Sequence, residues 1–213
     1  MRPLKPLPPQ LGTVASRQEG LVSSTQLEEM GIDASWRYRL VRQCRLIRVA
    51  RGVYDTDPVP PDQRSRAELL DHLRRRPAWI GLLAGGPGST AVGLCALALR
   101  RVKGLPRTIR PEVVAPGGLW RPPRDGIVFR KVGTMMASPF GGDFRIASIT
   151  DALALGVAQM CRDDAVAVMD DLLHTRAHGP GRQPWLLECG ADRPSPPRRR
   201  RGTSERHRAR AHQ

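Results

Sequence analysis

The residues best suited to chemistry form a run of arginines between Ser35 and Asp55. Six arginines fall in this stretch, and no acidic residue interrupts them: Arg37, Arg39, Arg42, Arg45, Arg48 and Arg51. The guanidinium group stays charged, and its planar set of donors fits phosphate oxygens and guanine edges. Each arginine that neutralises a phosphate also releases counterions, which favours binding. The run therefore indicates a surface that contacts nucleic acid, with a solvated face of an ordinary basic domain as the alternative.

The charge of the whole chain also indicates an acidic partner. The 213 residues carry a formal net charge of +15, and only three of the 35 basic residues are lysines. Residues 191–213 hold eight arginines and two acids, a net of +6 that leaves +9 on residues 1–190. Because the body of the chain is basic as well as its tail, we expect nucleic acid as the partner.

Two short helices are predicted before the arginine run, within residues 11–30. The second begins near Ser24, whose hydroxyl can cap a helix, and ends at Gly31. Residues 1–10 are rich in proline and are predicted to be a disordered leader.

A third helix carries the first arginines of the run. Asp33 is a suitable N-cap, because its carboxylate accepts backbone N–H groups that lack partners in the first turn. At about 100° per residue, one apolar stripe faces the core and consists of Trp36, Leu40, Val41 and Cys44. The opposite side carries Ser35, Tyr38, Arg39 and Arg42, while Arg37 lies at the edge of the stripe.

A β-hairpin is predicted directly after the third helix. Leu46–Val49 forms the first strand, Ala50–Gly52 the turn and Val53–Tyr54 the return strand. Three helices followed by a hairpin are the order of a winged helix-turn-helix, whose third helix enters the major groove while the hairpin, or wing, lies on the backbone. We therefore predict a DNA-binding domain over residues 11–55. Its contacts are expected from Ser35, Tyr38, Arg39 and Arg42 on the helix and from Arg48 and Arg51 on the wing.

A small mixed α/β domain is predicted over residues 64–177, after a proline-rich linker at residues 56–63. Two amphipathic helices, RSRAELLDHLRRR and STAVGLCALALRRV, come before two strands in TIRPEVVAP and DGIVFRKVG. Two closing helices follow, each with an acidic first turn that suits the helix dipole. Apolar periodicity then stops, and residues 178–213 are predicted to be a disordered tail rich in Arg and Pro. The fold class is therefore α+β.

Other patterns that could carry chemistry fit structural roles better. GGPGST lacks the lysine of a phosphate-binding loop and is expected to form a tight turn before a helix capped by Ser89 or Thr90. No histidine stands at a recognisable spacing from a serine or cysteine nucleophile. The paired acids lack partners that converge from other elements: Asp163, Asp164, Asp170 and Asp171. The cysteines are scattered without a CxxC pair: Cys44, Cys95, Cys161 and Cys189. We predict no catalytic residue, no metal and no cofactor.

We expect a cytoplasmic protein with reduced thiols and no contact with a membrane. The N-terminal MRPLKPLPPQ lacks the apolar region of a signal peptide. The uncharged run from Trp79 to Leu99 has membrane-spanning length, but glycines and a proline interrupt it.

Several of these segments together resemble the AbiE-type antitoxins of type IV toxin–antitoxin systems, in their actinobacterial form. The similarity covers about residues 11–174 and is carried by EGLVSSTQLEEMGI, RLIRVARGVYD, GPGSTAVGLCALAL, RPEVVAPGG and DGIVFRK. It implies a winged helix-turn-helix that binds operator DNA and represses its own operon, and a following domain that counters a nucleotidyltransferase toxin. The resemblance implies that the DNA-facing segment of the family falls on seven residues of this chain: Ser35, Arg37, Tyr38, Arg39, Arg42, Arg48 and Arg51.

The chain departs from that family at several points. Cys44 stands where the family often has glycine between the third helix and the wing, and Arg37 stands where an apolar residue is usual. Many longer relatives continue into an endonuclease-like domain, whereas this chain ends in PSPPRRRRGTSERHRARAHQ. That tail resembles an alternative reading frame of GC-rich DNA, so we hypothesise a truncation or frameshift near residues 174–180.

Two alternatives to a DNA-binding antitoxin stay open at this point. The first is a winged-helix transcription factor that acts alone, without a toxin. The second is a non-functional remnant of a relative that was fused to a nuclease. The sequence does not determine the operator, the toxin or the oligomeric state.

Overall fold

The computed structural model of the chain describes residues 6–56 and 65–178, with side chains up to residue 175. Helices and two β-sheets form a mixed structure in these ranges, which confirms the α+β class. Most of the predicted linker and the predicted tail beyond residue 178 lie outside the described residues. Among the described residues, no helix combines the length and the apolar character needed to cross a membrane.

The N-terminal part, residues 6–56, contains three helices and a small antiparallel sheet. In chain order its elements are α1 (Pro9–Arg17), β1 (Leu21–Ser23), α2 (Ser24–Glu29), α3 (Ala34–Arg42), β2 (Ile47–Ala50) and β3 (Val53–Asp55). The strands follow the order β1–β3–β2. The three helices share a core that includes Leu27, Ile32, Trp36, Leu40 and Leu46. The three predicted helices and the hairpin are therefore present, and β1 is an addition that the sequence did not indicate.

The ends of these helices refine the sequence prediction. Asp33 is the N-cap of α3, as predicted, and its Oδ1 accepts the Trp36 N–H at 2.7 Å. The cap of α2 is Ser23 rather than Ser24, because Ser23 and Gln26 exchange two hydrogen bonds in a capping box. Helix α1 begins at Pro9, inside the predicted leader, since proline is compatible with the first turn of a helix.

Cys44 does not belong to the apolar stripe of α3. It follows the end of the helix, is exposed and has a φ of +54°. A side chain is strained in this left-handed conformation, which glycine adopts freely. This backbone requirement explains why glycine suits the position between the third helix and the wing.

The C-terminal part, residues 65–178, contains a five-stranded mixed sheet with helices around it. Its elements are α4 (Arg66–Gly85), β4 (Thr90–Ala91), α5 (Gly93–Leu99), β5 (Glu112–Val114), β6 (Val128–Phe129), β7 (Ala137–Phe140), β8 (Phe144–Ala147), α6 (Ile149–Gly156) and α7 (Arg162–His178). The strand order is β6–β5–β4–β8–β7. Strands β4 and β8 run parallel, as do β5 and β6, while β4–β5 and β7–β8 are antiparallel.

Three features of the C-terminal part differ from the sequence prediction. Helix α4 continues through Pro77 to Gly85, because burial of residues such as Trp79 and Leu82 outweighs the cost of the proline. GGPGST is a turn that leads into β4, and α5 begins after Val92 without a side-chain cap. The β7–β8 hairpin was not predicted, because its first strand contains Pro139 and lacks a clear alternation.

Polar contacts join the two parts. The Nη2 of Arg76 on α4 donates to Asp55 Oδ2 on β3 at 2.6 Å, and Nη1 donates to the Glu19 carbonyl oxygen at 3.1 Å. Apolar side chains of the small sheet, including Leu21 and Val53, pack in the same core cluster as the C-terminal part. The described residues, 6–56 and 65–178, accordingly belong to one compact unit.

Candidate nucleic-acid interface

One face of α3 presents polar and basic side chains to solvent. Ser35, Tyr38, Arg39 and Arg42 are all exposed. They stand at positions i, i+3, i+4 and i+7, which share a face of an α-helix. Asp33 holds the start of the helix through its cap, so the backbone that carries these side chains is fixed. The sequence had predicted this exposed side correctly.

Tyr38 and Arg42 lie close together on this face. The Arg42 Cζ atom lies 6.0 Å from the centroid of the Tyr38 ring, at the limit of a cation–π contact. Tyr38 is 65% exposed, which is unusual for so large an apolar ring. An open hollow beside the ring is lined by Ala34, Ser35, Tyr38 and Arg39. This face therefore offers hydrogen-bond donors, positive charge and an aromatic surface together.

The wing presents two further arginines. Arg48 on β2 pairs with Tyr54 on β3, and both Arg48 and Arg51 are exposed. The turn is tight, and Gly52 has the φ of +76° that such a turn requires. The Arg51 N–H donates to Asp125 Oδ2 at 2.8 Å, which fastens the tip of the wing to the C-terminal part through its backbone.

Arg37 does not belong to the exposed face, although the resemblance had placed it in the DNA-facing segment. Its side chain is 11% exposed and forms an ion pair with Glu28 at 2.9 Å. Its Nη1 donates to the carbonyl oxygens of Ile32 at 3.1 Å and Ser24 at 3.4 Å. The long side chain thus reaches backward to α2 and fastens it to α3. Arg37 positions the helix, and we leave it out of the candidate interface.

Asp125 helps to hold the β2–β3 hairpin in place, and the sequence prediction did not include it. It stands 74 residues after Arg51, and no local pattern connects the two. An exposed aspartate in a loop has no distinguishing signal in a single sequence. Only the packing of the C-terminal part beside the hairpin brings its carboxylate to the wing.

The buried ionisable groups of the C-terminal part are paired rather than free for chemistry. Glu112 is 3% exposed, and its carboxylate accepts bonds from Arg130 at 2.8 Å and from Gln159 at 3.0 Å. Burial raises the pKa of the neighbouring Cys95 thiol to about 12, so the thiol is protonated at neutral pH. Within the described ranges, no group of three or more His, Cys, Asp or Glu side chains is arranged to hold a metal ion.

Helix α7 carries a second exposed feature, an apolar stripe. Val166, Met169 and Leu173 are exposed large hydrophobic residues at helical spacing. Large apolar side chains grouped on a surface often mark a contact with another protein.

Comparisons with known proteins add no assignment to this geometry. No family model matches the chain, and no curated protein matches it.

Proposed function

We propose that this protein is a DNA-binding, antitoxin-like transcriptional regulator that represses its own operon through an N-terminal winged helix-turn-helix. The observation that carries the proposal is the exposed face of α3, on which Arg39 and Arg42 stand beside Ser35 and Tyr38. The order of three helices and a hairpin, and the net charge of +15, support it. The proposal also rests on the resemblance to AbiE-type antitoxins.

In the proposed complex, α3 lies in the major groove of duplex DNA. Arg39 and Arg42 contact guanine edges or phosphates, and Ser35 and Tyr38 contact neighbouring groups on the same face. The wing arginines Arg48 and Arg51 neutralise backbone phosphates and carry little sequence information.

The proposal makes the affinity strongly dependent on salt. Each neutralised phosphate lowers log K by about 0.9 per unit of log salt concentration on duplex DNA. If the four arginines each engage one phosphate, we expect a slope of about −3.5 for each protein chain bound.

A gel-shift titration with the DNA upstream of the gene tests the proposal. We expect specific binding relative to a scrambled duplex, and a steep loss of affinity with salt. Replacing both Arg39 and Arg42 with alanine should abolish specific binding. The matched control replaces Arg66 and Arg107, which are exposed arginines of the C-terminal part, and removes the same charge.

The control distinguishes a defined interface from bulk charge. If the Arg66 and Arg107 variant loses as much affinity as the Arg39 and Arg42 variant, the α3 face is not the interface. Absence of specific binding by the folded wild-type chain would favour the remnant hypothesis.

The apolar stripe on α7 supports a protein partner in addition to DNA. We propose that a nucleotidyltransferase toxin is this partner, as the resemblance implies, and that the stripe contributes to its binding. Co-purification with a nucleotidyltransferase encoded beside this gene tests it, with Met169→Lys expected to weaken the complex and Asp170→Asn to leave it intact. Binding that Met169→Lys leaves unchanged would exclude the stripe, and absence of such a neighbouring gene would favour a regulator that acts alone.

A further inference from the structure

A cavity of about 460 Å³ lies between helices α1 and α2 on one side and α4 with the β7–β8 turn on the other. This volume falls within the usual range for small-molecule sites, about 300 to 1,000 Å³. All of these elements belong to the same compact unit. The cavity is therefore large enough for a ring-containing ligand and is formed by regions distant in sequence.

Aromatic side chains form part of the cavity wall. Trp79 and Phe144 are 6% and 8% exposed, and Phe140 is half-buried. The centroid of the Trp79 ring lies 5.7 Å from that of Phe140 and 5.9 Å from that of Phe144. Leu83 lines the cavity beside them. A flat apolar ring would be buried favourably against this wall.

The charge of the lining runs against the charge of the protein. Among the described lining residues, the charged ones are Arg17, Glu29 and Asp143, so acids outnumber bases. All three are exposed. The two carboxylates and one guanidinium give the rim a local net charge of −1, which favours a cation over an anion there. The aromatic wall has the same preference, because the face of an aromatic ring attracts cations.

We propose that this cavity binds a small planar aromatic cation, namely a fused or single ring that carries a primary ammonium group. The ring packs against Trp79 and Phe140, and the ammonium group lies at the rim of the cavity. Glu29 and Asp143 stabilise the positive charge at the rim. The binding is non-covalent and does not depend on the proposed DNA-binding function.

Calorimetric titration of the full chain with three probes of similar shape tests the proposal. Naphthylmethylamine is a cation at neutral pH, naphthylmethanol is neutral and naphthoate is an anion. We expect one naphthylmethylamine per chain, bound at least about tenfold more tightly than naphthylmethanol, and no measurable binding of naphthoate. Equal affinity for the amine and the alcohol, preference for naphthoate, or no binding of the amine would each overturn the proposal.

Variants at the rim locate the site without disturbing the core. Glu29→Gln combined with Asp143→Asn should weaken binding of the amine about tenfold and leave binding of the alcohol unchanged. The control, Asp163→Asn combined with Asp170→Asn, removes the same charge from exposed positions on α7 and should have no effect.

A steric variant provides an independent check. Thr25 is exposed on α2 and lines the cavity, so Thr25→Phe should fill part of it and abolish binding while the chain stays folded by circular dichroism. Binding that survives in Thr25→Phe, or a loss as large in the α7 control as in the rim variant, would overturn the assignment. Because DNA takes no part in these titrations, their failure is distinguishable from failure of the proposed function.

Discussion

The Oε2 atom of Glu19 lies 2.8 Å from Nδ1 of His72, at the contact between the N-terminal sheet and helix α4. The second carboxylate oxygen, Oε1, accepts a bond from Arg75 Nε at 2.7 Å. Burial by itself raises the pKa of Glu19, but the bonds and positive charges of His72 and Arg75 outweigh it, so the pKa lies below its usual value. The ionised carboxylate therefore helps to hold the two parts of the unit together.

This contact predicts a loss of stability in acid. A carboxyl group whose pKa is lowered in the folded state contributes stability above the pKa of the unfolded state, and this contribution is lost as pH falls through the folded pKa. At about pH 7, Glu19→Gln should lower the free energy of unfolding by about 1 to 2 kcal/mol. Urea unfolding at a series of pH values measures this difference, which should shrink as the pH falls below the usual range of a glutamate pKa. A difference that stays constant throughout the acid range would contradict the assignment.

Substitutions of Arg37 and Arg39 are predicted to differ in their effect on stability, although the two residues stand only two positions apart. Arg37→Ala removes three contacts to a buried charge and should lower the free energy of unfolding by about 2 kcal/mol. Arg39→Ala changes an exposed side chain and should alter stability by less than about 0.5 kcal/mol. Denaturant titrations of the two variants, with gel shifts on the folded proteins, separate the roles. A destabilised Arg39→Ala with a stable Arg37→Ala would reverse the assigned orientation of α3.

Glycine at position 44 is expected to stabilise the protein. Cys44 has a φ of +54°, and a left-handed conformation costs a residue with a side chain roughly 1 to 2 kcal/mol. Cys44→Gly should recover about 1 kcal/mol, after the entropy that glycine gains in the unfolded chain. Cys44→Ala removes the thiol but keeps the strain, so it serves as the control and should bring no gain. Equal melting temperatures for both variants would show that the strain is absent.

Gly104 should tolerate no side chain. Its φ is +77°, and an added Cβ would lie 2.7 Å from the Ala167 carbonyl carbon and 2.8 Å from the Val168 nitrogen on α7. Because the obstructing atoms are backbone, Gly104→Ala should cost about 3 kcal/mol or more. Gly31→Ala is the matched control, since its φ is +79° but no atom lies within 4 Å of the added Cβ. Thermal unfolding of the two variants should therefore separate the loss of stability caused by the clash from the loss caused by the positive φ. Equal losses of stability would indicate that α7 does not pack against Gly104.

The local features of the N-terminal part could be predicted because their causes lie within a few residues. The Asp33 cap acts over one helical turn, and the apolar spacing of Trp36 and Leu40 sets which side of α3 is buried. The exposed positions of Ser35, Tyr38, Arg39 and Arg42 follow from the same periodicity. Periodicity did not predict the burial of Arg37, because a guanidinium group can be buried once carbonyl oxygens and a carboxylate accept its hydrogen bonds. That Ser35, Tyr38, Arg39 and Arg42 bind DNA stays a prediction.

Features that depend on contacts between distant segments could not be predicted. The pairing of β4 with β8 joins residues more than fifty positions apart, and the Pro139 strand has no local pattern of its own. Non-local pairings of this kind are selected by the packing of the whole core, to which a single local window contributes little.

The sequence by itself determined the α+β class, the basic character and the exposed side of α3, because composition and short-range periodicity act locally. The tertiary structure decided that Arg37 fastens α2 to α3, that Asp125 holds the wing, and that Gln18 and Trp79 line one cavity. Each of these relationships joins side chains from separate elements. Their distances depend on how helices and sheets pack, and a single sequence carries no direct record of that packing.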